Sequence, residues 1–433
     1  MTEGRFTTGR NDLRVAIVHY WYVRRRGGER WLEAVAGMFP QADIFMLFLD
    51  PRNLAPSLQE RRITASFLQR VPGVTRHYRK LLPLFPLALE QFRLDNYDLV
   101  ISSESGPAKG VLTCSTTCHI CYCHTPMRYV WEMYHHYRSV SPWGRVGKAL
   151  YSLAAHYVRN WDCNTAARVD YFVANSMNVA ARIRKYYRRD AEVIYPPVDI
   201  GSFSIGDRTE DFYLVVSPLV SYKRVDLAIA ACNALRRRLV VIGQGEEMPA
   251  LQQLAGPTIS FLGFQPDNVV REHMRSCRAL LFPGEEDFGL TPVEAQASGR
   301  PVIAYGRGGV LETVIGFYPE EQACAEKATG VFFLEQSAKA LSRAMLAFEE
   351  AEDKFNPDFI RRRVERFDVP HFKAAFNAFV ADKVAHFYGQ TTPAQATPYP
   401  LATSPAPLRS RPYADSKTHH FAPISEAKNE NGQ

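Results

Sequence analysis

The chain has 433 residues, 46% of them hydrophobic, with a formal net charge of +7. That is the balance of a globular protein long enough for two ordinary domains and able to bury its core without a metal or disulfide staple. Eight cysteines fall short of disulfide-scaffold density, no apolar run approaches the roughly 20 residues of a membrane span, and no zinc-finger, RNP or basic-zipper pattern accompanies the excess cations. The expectation is a cytosolic protein with reduced thiols and no nucleic-acid partner, whose charge suits an anionic partner such as a nucleotide diphosphate or an acidic lipid surface.

Short apolar runs alternate with helical patterns. "LRVAIVHYWY" (13–22) predicts a buried first strand, and "GGERWLEAVAGMFPQA" after it has the helical spacing of Trp31, Ala34, Val35 and Met38. "ADIFMLFLD" (42–50), "YDLVISS" (97–103), "HICYCHTP" (119–126), the end of "ARVDYFVANS" (167–176) and "AEVIYPPVD" (191–199) predict further strands, with a helix over "MNVAARIRKYY". A second block repeats the pattern from about 204. Its strands are "DFYLVVS" (211–217), "RRLVVIGQG" (237–245), "TISFLGF" (258–264), "CRALLFPG" (277–284) and "RPVIAYG" (300–306), with helices between them. The fold class is α/β, two tandem doubly wound Rossmann-like domains with parallel strands. The boundaries are 1–203, 204–370, a closing helix at 371–387 that packs back toward the first domain, and a Pro/Thr/Ser/Ala-rich tail at 388–433 read as disordered. In such folds ligands sit at the carboxyl ends of the strands, which places the site in the cleft between the domains.

The stretch "CSTTCHICYCHTPMRY" (114–129) gathers four cysteines and two histidines. A zinc knuckle needs convergent sulfurs. On a strand over 119–124, Cys118 and Cys121 point to opposite faces, and no second pair with zinc spacing exists. The thiols are read as small buried apolar residues. His124 stands at the strand's carboxyl end, where open sheets present ligand groups.

The most specific stretch is "PGEEDFGLTPVEAQASGRPVIAYGRGGVLETV" (283–314). Strand, turn and helix follow one another, and Gly289 in the turn lets a ligand approach the backbone. The free amides of Leu290 and Thr291 open the helix, a ready site for a diphosphate, and Pro292 suits the first turn. Glu294 lies one turn on, where a carboxylate can accept ribose hydroxyls, and Glu286 before the turn can hydrogen-bond a sugar. On paired glutamates alone, an acidic surface loop before an ordinary helix is the alternative.

This stretch resembles the Glu-x7-Glu signature of family 4 retaining glycosyltransferases, which have the GT-B fold, and the resemblance runs from about 13 to 385. It implies an enzyme that holds a nucleotide-sugar donor mainly in its second domain and an acceptor mainly in its first. Glu286 would then contact the donor sugar and Glu294 the ribose, with Phe288, Gly289, Leu290 and Thr291 lining the donor. His124 matches the family's active-site histidine, and it and Glu286 would stabilise the transition state. Gly27 and Gly28, with Glu29 after them, match a glycine loop near phosphate or acceptor. Lys223 and Arg224 in "VVSPLVSYKRVDLAI" match a diphosphate clamp. Relatives carry a further arginine where this chain has Ser217-Pro218-Leu219, so that cation is missing or supplied elsewhere. Gly243 and Gly245 match a nucleotide-side glycine loop, Phe264 a base contact, and Glu312 a loop near the cleft. No Asp-x-Asp motif occurs in a suitable loop, and neither a metal nor another cofactor is implied.

The strings at 97–111 and 119–134 resemble bacterial mannosyltransferases of O-antigen and exopolysaccharide assembly, although Glu104 stands where several relatives have histidine. The resemblance implies α-mannose transfer from GDP-mannose to a lipid-linked oligosaccharide at the inner face of the cytoplasmic membrane. The segment "GVTRHYRKLLPLFPLALEQF" (73–92) suits either helices covering the first sheet or a stretch lying on anionic lipid. Three alternatives stand beside this reading. The donor could be UDP-glucose, -galactose or -GlcNAc. The fold could serve an epimerase or phosphorylase, the latter needing a pyridoxal-phosphate lysine that nothing indicates. The chain could also be a non-catalytic GT-B binding module.

Overall fold

The computed structural model describes residues 13–391 except 141–143, 207 and 322–324. The first sheet comprises β1 (Val15–His19), β2 (Asp43–Met46), β3 (Ile63–Ala65), β4 (Leu99–Glu104), β5 (Cys118–Cys123), β6 (Tyr171–Ala174) and β7 (Ala191–Val193), in the order β3-β2-β1-β4-β5-β6-β7. The second comprises β8 (Tyr213–Val216), β9 (Leu239–Ile242), β10 (Ile259–Gly263), β11 (Leu280–Phe282), β12 (Val302–Tyr305), β13 (Gly316–Phe317) and β14 (Gly330–Phe333), in the order β10-β9-β8-β11-β12-β14-β13. Every pairing is parallel. Sheets covered by helices on both faces need strands apolar on both sides, and β1 and β5 are buried along their whole length.

The strand order reverses between β1 and β4, and again between β8 and β11. These are the crevices where doubly wound sheets hold ligands. β5 also settles the cysteine question. Cys118, Ile120 and Tyr122 face a core with Trp31, Leu32 and Phe376. Cys121 and Cys123 face the opposite one, against Val179, Ile183 and Tyr187. Burial pushes the Cys118 thiol up to about 12 and holds Cys121 and Cys123 as neutral thiols as well.

The helix Val369–Thr391 leaves the second sheet and lays Phe372, Phe376, Phe379, Val380 and Val384 into the core of the first. Burying a side chain of this size contributes roughly 1.5–3 kcal/mol. The sequence reading began the tail at 388, but the helix runs on to Thr391, and the Tyr388 hydroxyl donates to the Asp98 carbonyl at 3.0 Å. The rest of that expected tail, 392–433, lies outside the described residues.

Among the described residues, two long helices had no sequence expectation, Gly144–Thr165 and Ala338–Ala351, nor did the short ones Pro56–Gln59, Tyr134–Ser139 and Val310–Thr313. In segment 73–92 the helices cover the first sheet. Leu82, Phe85, Ala88 and Leu89 are buried under the first sheet, while Arg76, His77, Arg79, Lys80, Leu84 and Leu87 face outward.

Candidate active site

The carboxyl ends of the two sheets enclose a cavity of about 530 Å³. The first half lines it with Gly27, Gly28, His124 and Arg128. The second half supplies Lys223, Glu286, Phe288, Gly289, Leu290 and Thr291. Residues up to 264 positions apart in sequence therefore meet at one place.

The turn after β11 builds the second half's wall. Gly289 takes a left-handed φ of 87° as the N-cap of the helix Leu290–Ala297, a conformation that glycine reaches without a Cβ penalty. Phe288 is buried against Tyr195 and Phe367, with ring centroids 5.7 and 5.3 Å away, and anchors the turn. Glu286 is pinned through its backbone, which accepts from Gly309 N at 2.8 Å, and its carboxylate pairs with Lys223 Nζ. Burial would raise this carboxyl. The charges of Lys223, Arg128 and Arg182 outweigh burial and hold it below the usual range.

His124 follows β5 directly. Its backbone N–H donates to the Glu104 carbonyl at 2.7 Å, and Nε2 lies 3.1 Å from Ser103 Oγ. Ser103 Oγ is also 3.1 Å from His19 Nδ1. With Nε2 so engaged, Nδ1 is the nitrogen left for a ligand. The ring packs edge-on to Trp31 and Tyr122 at 5.6 and 5.1 Å. Burial depresses its pKa to about 3, so the imidazole is neutral at pH 7.

Glu104 has no face on the cavity. It is fully buried with Lys109 and Asp162, 3.3 Å from Lys109 Nζ, which also pairs with Asp162. Asp162 further accepts from Trp131 Nε1 at 2.7 Å and from the Tyr187 hydroxyl at 2.9 Å. This ionic cluster holds the backbone from which the His124 loop hangs.

Glu294 lines an adjoining cavity of about 420 Å³, where Arg30 Nη1 of the first half reaches its Oε1 at 2.7 Å. Arg30 also lies 3.3 Å from Asp267, as does Arg25.

Other expected residues do not converge. Arg224, at a left-handed φ of 52°, forks onto Asp226 at 3.1 and 3.0 Å and does not line the main cavity. Gly243 and Gly245 also stand apart from that cavity. A Cβ on either would collide with the Ser217 or Leu219 carbonyl, so both serve close packing within the second half, and Gly245 borders a different, larger cavity. Phe264 is 69% exposed, neither core nor cavity wall. Glu29 is a buried capping residue that accepts from Arg26 N at 3.0 Å, with burial raising its carboxyl to about 7. Glu312 accepts from the Met177 and Asn178 amides at 2.8 and 3.0 Å and so caps a helix of the opposite half.

Arg128 escaped the sequence reading. It lines the main cavity and binds Asp287 across the cleft at 3.1 Å. The first half thus supplies a cation to the cavity that Lys223 of the second half also lines. Its only local signal is its place four residues beyond His124, on the same strand-end loop.

Two doubly wound halves facing across a cationic cleft define the GT-B class. Family models agree: Glycosyltransferase Family 4 matches residues 25–202 and Glycosyl transferases group 1 matches 203–363. The chain belongs to this glycosyltransferase family and is an enzyme of that kind. Among curated relatives, the human alpha-1,3/1,6-mannosyltransferase ALG2 is 24% identical over 263 residues, 51% of this chain and 62% of the relative. A D-inositol 3-phosphate glycosyltransferase of Geodermatophilus obscurus is 34% identical over 182 residues, 34% of this chain and 40% of the relative. The chain thus spans less than two thirds of either protein's length. Sucrose-phosphate synthase from Thermosynechococcus elongatus shares the fold at a TM-score of 0.63 and 17% identity, over 87% of this chain and all of that one. HepE from Anabaena, crystallised with UDP and glucose, does so at 0.61 and 15%, over 86% and 100%. No helix among the described residues is long and apolar enough to cross a membrane.

Proposed function

We propose that the enzyme is a retaining hexosyltransferase that moves α-mannose from GDP-mannose onto a lipid-linked glycan in cell-surface polysaccharide assembly, at the inner face of the cytoplasmic membrane. The observation that carries the transfer chemistry is the meeting of His124, Arg128, Lys223, Glu286 and the Leu290 and Thr291 amides around one cavity. Lys223, Arg128 and the helix amides take the diphosphate as its charge develops. Glu286 accepts hydrogen bonds from the sugar hydroxyls, and neutral His124 contacts the sugar through Nδ1. The bond from C1 to the phosphate oxygen breaks as the acceptor oxygen bonds C1 from the same face. The departing phosphate oxygen takes the acceptor proton. No metal enters this scheme.

The mannose assignment is supported by the likeness to mannosyltransferases. A UDP-sugar donor is the second reading, favoured by the UDP-glucose found in crystals of the fold relative HepE. Purified enzyme given labelled GDP-mannose, UDP-glucose and UDP-GlcNAc with acceptor-bearing membranes separates the two. Incorporation from GDP-mannose alone is expected. Incorporation from a UDP-sugar moves the donor assignment, and incorporation from none overturns the transfer reading for these donors.

A further inference from the structure

A second, larger cavity of about 1480 Å³ adjoins the first, and Arg79, Leu82, Tyr137, Tyr151 and Tyr222 line both. Its lining includes Arg24, Arg26, Arg79 and Lys80 together with Leu150, Leu153 and Tyr157 of the helix Gly144–Thr165. That helix buries Ala155 and Val158 in the core and carries a second apolar face outward. Val146, Leu150, Leu153 and Tyr157 are spaced by four, three and four residues, which sets them on one face. They are 65%, 54%, 70% and 49% exposed. Val140, Leu84 and Leu87 add 63%, 41% and 52% exposed apolar surface on neighbouring segments.

Charge completes the pattern. Residues 61–89 contain six Lys and Arg and no Asp or Glu, and residues 133–161 contain four and none. The carboxylates of the second cavity, Glu246 and Glu247, come from the opposite half, and Glu246 lies 3.8 Å from Arg79. Apolar side chains and guanidinium groups lining one cavity, which shares lining residues with the first, match a ligand with an anionic head and a long apolar chain. Guanidinium forks favour a phosphate head.

We infer that this second cavity seats an anionic amphiphile, a phosphate or diphosphate on a long apolar chain, and that this is the acceptor's anchor. The head lies among Arg24, Arg26, Arg79 and Lys80. The chain runs out over Leu150, Leu153 and Tyr157, and the sugar-bearing end passes Arg79 and Tyr137 into the cavity of His124 and Glu286. The acceptor role rests on the transfer reading above, whereas the binding of the amphiphile does not.

The test uses the full chain with farnesyl phosphate below its micelle concentration, measured by calorimetry against farnesol, inorganic phosphate and phosphatidylcholine vesicles containing phosphatidylglycerol. Farnesyl phosphate should bind at least tenfold more tightly than farnesol or inorganic phosphate. Leu150→Glu/Leu153→Glu should weaken it at least tenfold while GDP and UDP binding stay unchanged. Arg79→Glu/Lys80→Glu should weaken it similarly. The leucines are exposed, so a thermal melt is expected to show intact folding, and Leu153→Ser is the milder second variant. Equal affinity for farnesol, or farnesyl phosphate binding that survives both leucine variants, overturns the inference. So does binding to vesicles without binding of free farnesyl phosphate, which would mean a flat bilayer contact. Loss of nucleotide binding by the unmodified enzyme would count against the transfer reading and leave the amphiphile result standing.

Discussion

Arg30 Nη1 of the first half lies 2.7 Å from Glu294 Oε1 of the second, on the carboxylate assigned to the donor ribose. A ribose held by Glu294, as the family resemblance implies, would compete with this guanidinium for the same oxygens. Arg30 is 35% exposed but the Glu294 side chain only 13%, so release of the pair costs about 1 kcal/mol, the upper end for exposed pairs. Arg30→Ala should therefore tighten nucleotide binding by roughly two- to fivefold, whereas Glu294→Ala should weaken it. Calorimetric titration with GDP and UDP measures both, and weaker binding by Arg30→Ala would assign Arg30 to the ligand instead.

Lys223→Met removes the cation paired with partly buried Glu286. Burial then weighs more, and the carboxyl's titration midpoint moves upward, as carboxyl NMR would record. Transfer should fall by about 100-fold or more, the usual loss when a group that stabilises developing charge is deleted. Glu286→Ala should be at least as damaging, and full activity in that variant would remove Glu286 from the site.

Lys109 is the single cation between buried Glu104 and Asp162. Lys109→Met leaves two carboxylates without it and should destabilise the fold by about 3–5 kcal/mol. A urea titration measures this. Since the Glu104 carbonyl holds the His124 amide, any folded fraction should also lose transfer rate.

His119 is buried between Ser102 Oγ at 2.8 Å and the Arg168 carbonyl at 3.0 Å, and burial lowers its pKa from 6.5 to about 4. Above pH 6.5 it is neutral whether folded or unfolded and adds no pH dependence. Between 6.5 and 4 the unfolded chain takes up the proton and the folded chain does not, so stability falls as the pH falls. His119→Asn should make that decline shallower by about 1.4 kcal/mol per pH unit. Parallel denaturant titrations at pH 7, 6 and 5 would reveal an unchanged slope if His119 were solvated.

The strands were legible because buried parallel strands are continuous apolar runs, and 283–294 was legible because a glycine turn and a helix start leave a local mark. β14 carries such a run, Gly330–Phe333 buried throughout, and was missed all the same; other hidden features lacked a local mark. β3 is three residues at a sheet edge and β13 only two. The Gly144–Thr165 helix carries Gly144 and Gly147 and wears apolar residues on its outer face, which blurs the one-stripe pattern of a core helix. Arg128 and Arg30 belong to the site through contacts with residues 159 and 264 positions away. No window of sequence contains such a pair.

The Val369–Thr391 helix carries a consequence for the order of synthesis. Trp31 and Tyr122, which brace His124, find Phe372 and Phe376 among their ring neighbours only once the ribosome has passed residue 376. Until then the first half, although made long before, exposes an aromatic patch to the nascent-chain environment, the kind of surface that invites aggregation or chaperone capture. The packing that braces His124 is completed by residues translated long after the strand that carries it.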